Sequence, residues 1–389
     1  MYKMNNARGF TAQEFEERTA RAQKMMREME IDALFLTTEP NVRYFTGFYT
    51  QFWQSPTRPW FLVVPASGKP IAVIPEIGAS GMAGTWIDDI YTWPAPKPDD
   101  DGITLLASVL HSLPSRFGRI GATLGIESHL RMPFNNVCKL QSLLGKEFVD
   151  VSLRMHELRY IKSAAEVAKI REICAITNSA FAKVPDYARK GMTEREICKR
   201  FQIDLLLEGA DDTPYIIAGA DKDGYDSIIM GPTDRVLEDG DVLIIDTGAK
   251  LDGYFSDFDR NWAFGYASER TQSAYRAAWE ATTTGFEAAR PGNTTSDIYN
   301  AMWSVLERNG ALGNDVGRIG HGLGSELTER PSLTATDNTP LKPGMILTLE
   351  PGMVFAPGKS MVHEENIVIT EDGAEWLTVR AAPEIIVIN

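Results

Sequence analysis

Val242-Leu243-Ile244-Ile245-Asp246-Thr247-Gly248-Ala249 is followed, after Lys250-Leu251-Asp252, by Gly253-Tyr254-Phe255-Ser256-Asp257-Phe258-Asp259-Arg260. The first run is β-branched and stops on an aspartate, the pattern of a buried strand. Asp252-Gly253 is turn chemistry, so the second run returns beside the first as a hairpin. That pairing brings the Asp246 and Asp257 carboxylates together. Their repulsion is unfavourable alone and is relieved by cations, a physical reason to expect metal there.

Three further frames lie downstream. His321 stands in Ile319-Gly320-His321-Gly322-Leu323-Gly324, and Glu350 closes Ile346-Leu347-Thr348-Leu349-Glu350 before Pro351-Gly352. Glu364 opens Glu364-Glu365-Asn366-Ile367-Val368-Ile369-Thr370. Taken singly, an aspartate at a strand end is more often a turn former than a ligand. Taken together, four carboxylates and one imidazole form a hard, oxygen-rich set suited to two divalent ions. Two such ions can activate a shared water near neutral pH, which is hydrolase chemistry.

The order and spacing of these frames resemble the pita-bread metallopeptidases, which include Xaa-Pro aminopeptidases, prolidases, methionine aminopeptidases and creatinase. The resemblance implies that Asp246 and Asp257 bind a first metal and that His321 and Glu350 complete a second, with Asp257 and Glu364 bridging. Glu350 would also relay the proton during catalysis. Glu364 is assigned rather than Glu365 because the family places its ligand six residues before the threonine matching Thr370. Strand alternation tests the choice, since the two glutamates must face opposite sides. The implied cofactors are two divalent ions, manganese first, with cobalt, zinc or iron as alternatives.

The chain departs from the family pattern at several positions. The family has histidines where this chain has Ile229 and Thr328, so imidazole donors that help bind substrate and stabilise the tetrahedral intermediate are missing. Thr328, Arg330 and Tyr254 are candidates to replace them, Arg330 as a clamp on a substrate carboxylate or simply as a surface residue. Asp259 stands where the family has threonine and shares a face with Asp257 by the two-residue strand period. It adds a carboxylate near the metals or the substrate; the favoured reading is a pairing with a neighbouring arginine. The aromatic, proline-rich stretch 49–60 offers Trp53, Arg58 and Trp60. In related dimers the N-terminal domain helps close the partner's active site, so these residues could shape a small pocket, but ordinary inter-domain packing of the rings is the favoured reading.

The whole chain bounds the function further. Its 389 residues are 43% hydrophobic and 24% charged, the composition of a globular protein with room for two domains. A formal charge of -14 argues against nucleic acid or an anionic membrane as partner. No apolar run reaches membrane-spanning length, and the first residues lack a signal-type stretch. Three unevenly spaced cysteines suggest free thiols and a cytoplasmic location.

Alternating signals in the first 150 residues predict a helix over 11–29 and strands over 31–36, 60–65, 70–75 and 120–126, with a turn or helix start at 41–44. From Ser163 helical periodicity takes over to about residue 182, then again over 193–207, 270–289 and 294–308. Strands are expected at 241–247, 253–264, 344–350 and 365–370. The fold class expected is α+β: a smaller, mixed α/β creatinase-type domain at 1–156 and a pita-bread catalytic domain at 157–389. The expected function is cleavage of a C–N bond in a small substrate, foremost an Xaa-Pro dipeptide, by a homodimer. The alternative keeps fold and metals but takes a small zwitterion: a betaine, a creatine-like compound or dimethylsulfoniopropionate.

Overall fold

The computed structural model describes residues 8–313 and 317–389; the N-terminal segment read above for a signal lies largely outside them. The chain divides into two compact units, Met1–Arg159 and Tyr160–Asn389.

The first unit is built on six strands: β1 Ala33–Leu36, β2 Phe61–Pro65, β3 Ile71–Pro75, β4 Ile90–Trp93, β5 Arg119–Ala122 and β6 Glu147–Asp150. They form one mixed sheet in the order β4-β3-β2-β1-β5-β6. Alternate residues of the central strands feed two separate cores. Leu34, Leu36, Leu62 and Val64 pack on one face with Met25 and Met26 of helix Ala12–Glu28. Ala33, Phe35, Phe61 and Val63 pack on the other with Leu106 and Leu110 of helix Ile103–Ser112. Burial on both faces is why these strands read as unbroken apolar runs. The segment around Asn41–Tyr44 is helical, Glu39–Thr46. The strand expected over 120–126 ends at Ala122, where the Asp150 carboxylate accepts the Leu124 amide at 3.1 Å and draws the chain aside. Trp53 is a core residue of this unit. It packs 6.0 Å from Trp60, and the Arg131 guanidinium sits 5.2 Å over its ring while donating to the carbonyls of Phe52, Trp53 and Thr57.

The second unit holds two five-stranded sheets and a two-stranded hairpin. The first sheet contains β7 Asp212–Lys222, β8 Asp241–Leu251, β9 Tyr254–Phe255 and β10 Phe258–Phe264. The second contains β11 His321–Gly322, β12 Glu329–Ser332 and β13 Ile346–Leu349. Then come the hairpin β14 Gly352–Ala356 and β15 Lys359–Val362, strands β16 Glu365–Ile369 and β17 Ala374–Trp376 of the second sheet, and β18 Ile386–Ile388 at the edge of the first. A helix pair accompanies each half: Ala164–Tyr187 with Glu194–Glu208, and Glu269–Ala288 with Thr295–Arg308. The second helix of each pair opens with a capping box, Thr193 with Glu196 and Thr294 with Asp297, and each cap residue also bridges a neighbouring segment. This internal echo matches a fold made of two αβ halves.

Three local features depart from the sequence expectation. Helix Ala164–Tyr187 runs through Pro185 instead of stopping near residue 182. Strand β7, the long partner of β8, gave no clear periodic signal because Pro214 and Gly219 interrupt it. The strand expected over 253–264 is broken at Ser256-Asp257. There the Asn366 side chain takes the Asp257 amide at 3.0 Å, while the Ser256 hydroxyl bonds Thr177 at 2.9 Å. That break aims the Asp257 side chain. No helix among the described residues is long and apolar enough to cross a membrane.

Candidate metal centre

The acidic groups gather where the two sheets face each other. Asp246 sits mid-strand in β8, Asp257 at the break before β10, and Asp259 in β10, directly opposite Asp246 in register. From the second sheet come His321 of β11, Glu350 just after β13 and Glu364 just before β16. Donor atoms of Asp257, His321 and Glu364 all lie within 4.8 Å of one another.

His321 shows how the backbone prepares a ligand. Its Nδ1 lies 2.9 Å from the Gly322 carbonyl, which can only accept, so Nδ1 carries the proton. Nε2 is left with its lone pair, 3.5 Å from Asp257 Oδ2. Burial and the nearby Arg318 charge push the imidazole down to about 4, so it is neutral at pH 7, as a metal ligand must be. Gly320 makes the approach possible: its φ is 139°, and a Cβ there would meet the Thr348 carbonyl at 2.3 Å.

The carboxylates are strained electrostatically. Burial first, then mutual repulsion, drives Asp257, Asp259 and Glu364 well above the ordinary carboxylate range. Asp246 is raised to about 7 by burial, and Glu350 to about 8 by burial and the Asp246 charge. Asp246 Oδ1, Asp259 Oδ2 and Glu364 Oε1 are buried with no hydrogen-bond partner. Orphaned carboxylate oxygens and two lone pairs facing across 3.5 Å are unfavourable in a dry interior. Divalent cations would satisfy both, so the residues present fit metal.

Strand alternation separates the two glutamates. Glu364 faces the cluster, whereas Glu365 faces the other way, 3.1 Å from Arg260 and 3.4 Å from His363. Arg260 donates to the backbone carbonyl of Asp259 and turns to Glu365. The expected pairing of an arginine with the Asp259 carboxylate is therefore absent among the described residues, because the two side chains leave β10 on opposite faces.

The candidate substrate groups have distinct local surroundings. The Tyr254 hydroxyl donates to the buried Glu166 carboxylate at 2.8 Å. Arg330 points to Asp337, 3.8 Å away, and Thr328 is exposed on the loop between β11 and β12. Ile229 is also exposed. Trp53 belongs to the other unit, as described above.

Two residues that the sequence did not single out are near the centre. Tyr215 of β7 hydrogen-bonds Asp246, and the four carboxylates Asp246, Asp257, Glu364 and Glu350 push its phenol strongly upward, after burial. Arg318 lowers the carboxyls of both Asp257 and Glu350 through its charge, and makes no hydrogen bond or close ion pair among the described residues. It shares with Glu350 the wall of a cavity of about 340 Å³. Ile228, Val354 and Val362 supply apolar lining, and Asp226 and Lys359 further charge. Neither residue stands in a local motif, so only the fold reveals them.

Comparison with known proteins accounts for both units. Residues 18–161 match the creatinase/prolidase N-terminal domain, and residues 168–371 match metallopeptidase family M24. The probable dipeptidase PepE of Mycobacterium tuberculosis is 29% identical over 371 residues, 95% of each chain. The crystal structure of dipeptidase PepE from Mycobacterium ulcerans superposes with a TM-score of 0.84 at 27% identity, over 97% of this chain and 99% of that one. Prolidase from Pyrococcus furiosus gives 0.79 at 25% identity, over 92% and 100%. Because the match to 168–371 spans over half of the sequence and takes in every acidic residue of the cluster together with its histidine, the chain belongs to metallopeptidase family M24.

Proposed function

We propose that this protein is a dinuclear metallohydrolase that cuts a C–N bond in a small substrate, foremost an Xaa-Pro dipeptide. The observation carrying the proposal is the buried Asp257–His321–Glu364 group beside the cavity that Glu350 and Arg318 line. Asp246, Asp257, His321, Glu350 and Glu364 would hold the two ions, manganese first and cobalt, zinc or iron as alternatives. When bound, the ions would supply an acidified water and a polarised scissile carbonyl.

The remaining chemistry belongs to the chain. Glu350, at the cavity edge, is placed to accept a proton from the attacking water and return it to the leaving nitrogen. Arg318 offers a guanidinium to a free substrate carboxylate, the bidentate pairing for which its geometry is suited. A cavity of about 340 Å³ suits a dipeptide better than a longer peptide. A cytoplasmic homodimer is part of the proposal; three free cysteines, two of them buried, agree with a reducing compartment.

A second reading keeps the metals and exchanges the substrate for a small zwitterion such as a betaine. It is favoured by Ile229 and Thr328, exposed side chains that carry no imidazole. Purified protein loaded with Mn²⁺ should be tested on an Xaa-Pro dipeptide panel and on small amides and betaines, with Asp257→Asn as blank. Metal-dependent dipeptide cleavage lost in the variant supports the first reading. Turnover of the zwitterions alone would replace it with the second.

A further inference from the structure

The β14–β15 hairpin divides its two faces between the core and the cavity. Gly352, Val354 and Ala356 alternate along β14, and Val362 and Ser360 stand opposite the first two on β15. All five line the cavity that Glu350 and Arg318 share. Met353 and Met361, paired between them, turn the other way into the core shared with helix Glu269–Ala288. Strand alternation therefore presents a fixed, mostly apolar strip to the cavity. A Cβ at Gly352 would meet only Val362 Cγ2, at 3.6 Å, so the strip is open there. The remaining walls hang from the same hairpin. The Leu312 amide donates to the Val354 carbonyl at 2.8 Å, and the Ser360 amide donates to the Tyr225 carbonyl at 2.7 Å, just before Ile228. Leu312 and Ile228 widen the apolar lining. Of the two cations on the wall, Lys359 is committed to the Asp221 carboxylate and the Gly224 carbonyl, which leaves Arg318 for a ligand.

We propose that the hairpin strip, with Val354 and Val362 at its centre, selects dipeptides whose C-terminal residue is large and apolar, such as leucine, methionine or phenylalanine, over those ending in proline. The inference rests on the dipeptidase reading above and names its substrate class. A guanidinium that holds the free carboxylate fixes which side chain meets the strip: that of the C-terminal residue, on the leaving side of the scissile bond. Hydrophobic gain grows with the apolar area covered. Proline's ring is tied to its own backbone nitrogen and covers little of the strip, whereas a longer side chain extends along it. An acidic side chain gains nothing there, because Lys359 is already paired.

Two measurements test this. In the first, chelator-treated full-length protein is titrated calorimetrically with N-acetyl-leucine and N-acetyl-glycine, which need no metal turnover. The leucine compound should bind at least about 10-fold more tightly. Val354→Thr, which keeps the side chain's shape but adds a hydroxyl, and Val354→Phe, which fills the cavity, should each remove that margin. Equal or undetectable binding of the two compounds to wild type, or an unchanged margin in either folded variant, overturns the inference. In the second, Mn²⁺-loaded wild type is assayed on Ala-Leu, Ala-Phe, Ala-Pro, Ala-Gly and Ala-Asp. The kcat/KM for Ala-Leu should exceed that for Ala-Gly by at least about 100-fold, and Ala-Pro and Ala-Asp should fall below Ala-Leu. Cleavage that favours Ala-Pro overturns the inference and leaves the dipeptidase reading standing. A leucine margin in binding with no dipeptide cleaved upholds the cavity's preference and overturns the dipeptidase reading.

Discussion

Stripped of metal, this protein should lose stability as pH rises from 6.5 to 8. Folding gathers Asp246, Asp257, Asp259, Glu350 and Glu364 in one dry cluster, and burial and repulsion raise all five carboxyls. In the unfolded chain they titrate near pH ~4. The folded apoprotein therefore holds protons that the unfolded chain has released. Stability is fullest below the unfolded pKa and falls as pH climbs through the folded values, to about 8 for Glu350. His321 and His363 are depressed and act in the opposite sense, but only below the unfolded histidine pKa of about 6.5, so the chosen window lies above them. Each retained proton lowers the unfolding free energy by about 1.4 kcal/mol per pH unit. Because the cluster titrates as a set, one proton is the prudent count, which makes about 2 kcal/mol over the window. For a domain of this size that is a fall of about 4–8 °C in Tm.

Differential scanning calorimetry in chelator at the two ends of the window reads the shift. Saturating Mn²⁺ should abolish or reverse it, since metal replaces the protons. Glu350→Gln should flatten the apoprotein slope. A flat or rising apoprotein Tm, or an equal fall with metal bound, would refute the reasoning.

Other outcomes follow from single contacts. Arg318→Ala should raise KM for dipeptides with a free carboxylate by about 10- to 100-fold, the loss of a charge-assisted hydrogen-bond pair, with a smaller effect on kcat; unchanged steady-state kinetics would remove Arg318 from the substrate site. Asn366→Ala frees the Asp257 backbone, which Asn366 holds through amide and carbonyl, and should weaken Mn²⁺ binding about 10- to 100-fold by calorimetry. Glu329→Ala leaves Lys162 Nζ, now 2.9 Å from the Glu329 carboxylate, as a buried unpaired charge. It should destabilise the protein by about 3–5 kcal/mol in urea unfolding. A loss within about 1 kcal/mol would mean that the lysine reaches water instead.

The sequence alone carried the chemistry that short stretches encode. The apolar run into Asp246, the Asp252-Gly253 turn and the capping residues Thr193 and Thr294 each act within a few residues, so strand, hairpin and helix starts were legible. The separated frames around His321, Glu350 and Glu364 were legible as a set through their order. What escaped was whatever depends on partners remote in the chain. β7 lacks periodicity and is a strand because β8 offers it a complete ladder. Asp257 points inward because Asn366, 109 residues away, breaks the strand beside it. Asp259 is an orphaned carboxylate rather than half of an ion pair because its neighbour Arg260 finds Glu365 across the sheet. Tyr215 and Arg318 have no motif; they matter only because two sheets close around one cluster. Local pattern reflects forces along the backbone, whereas burial, orphaned charge and cavity shape arise when distant segments pack. Tertiary structure alone decides those.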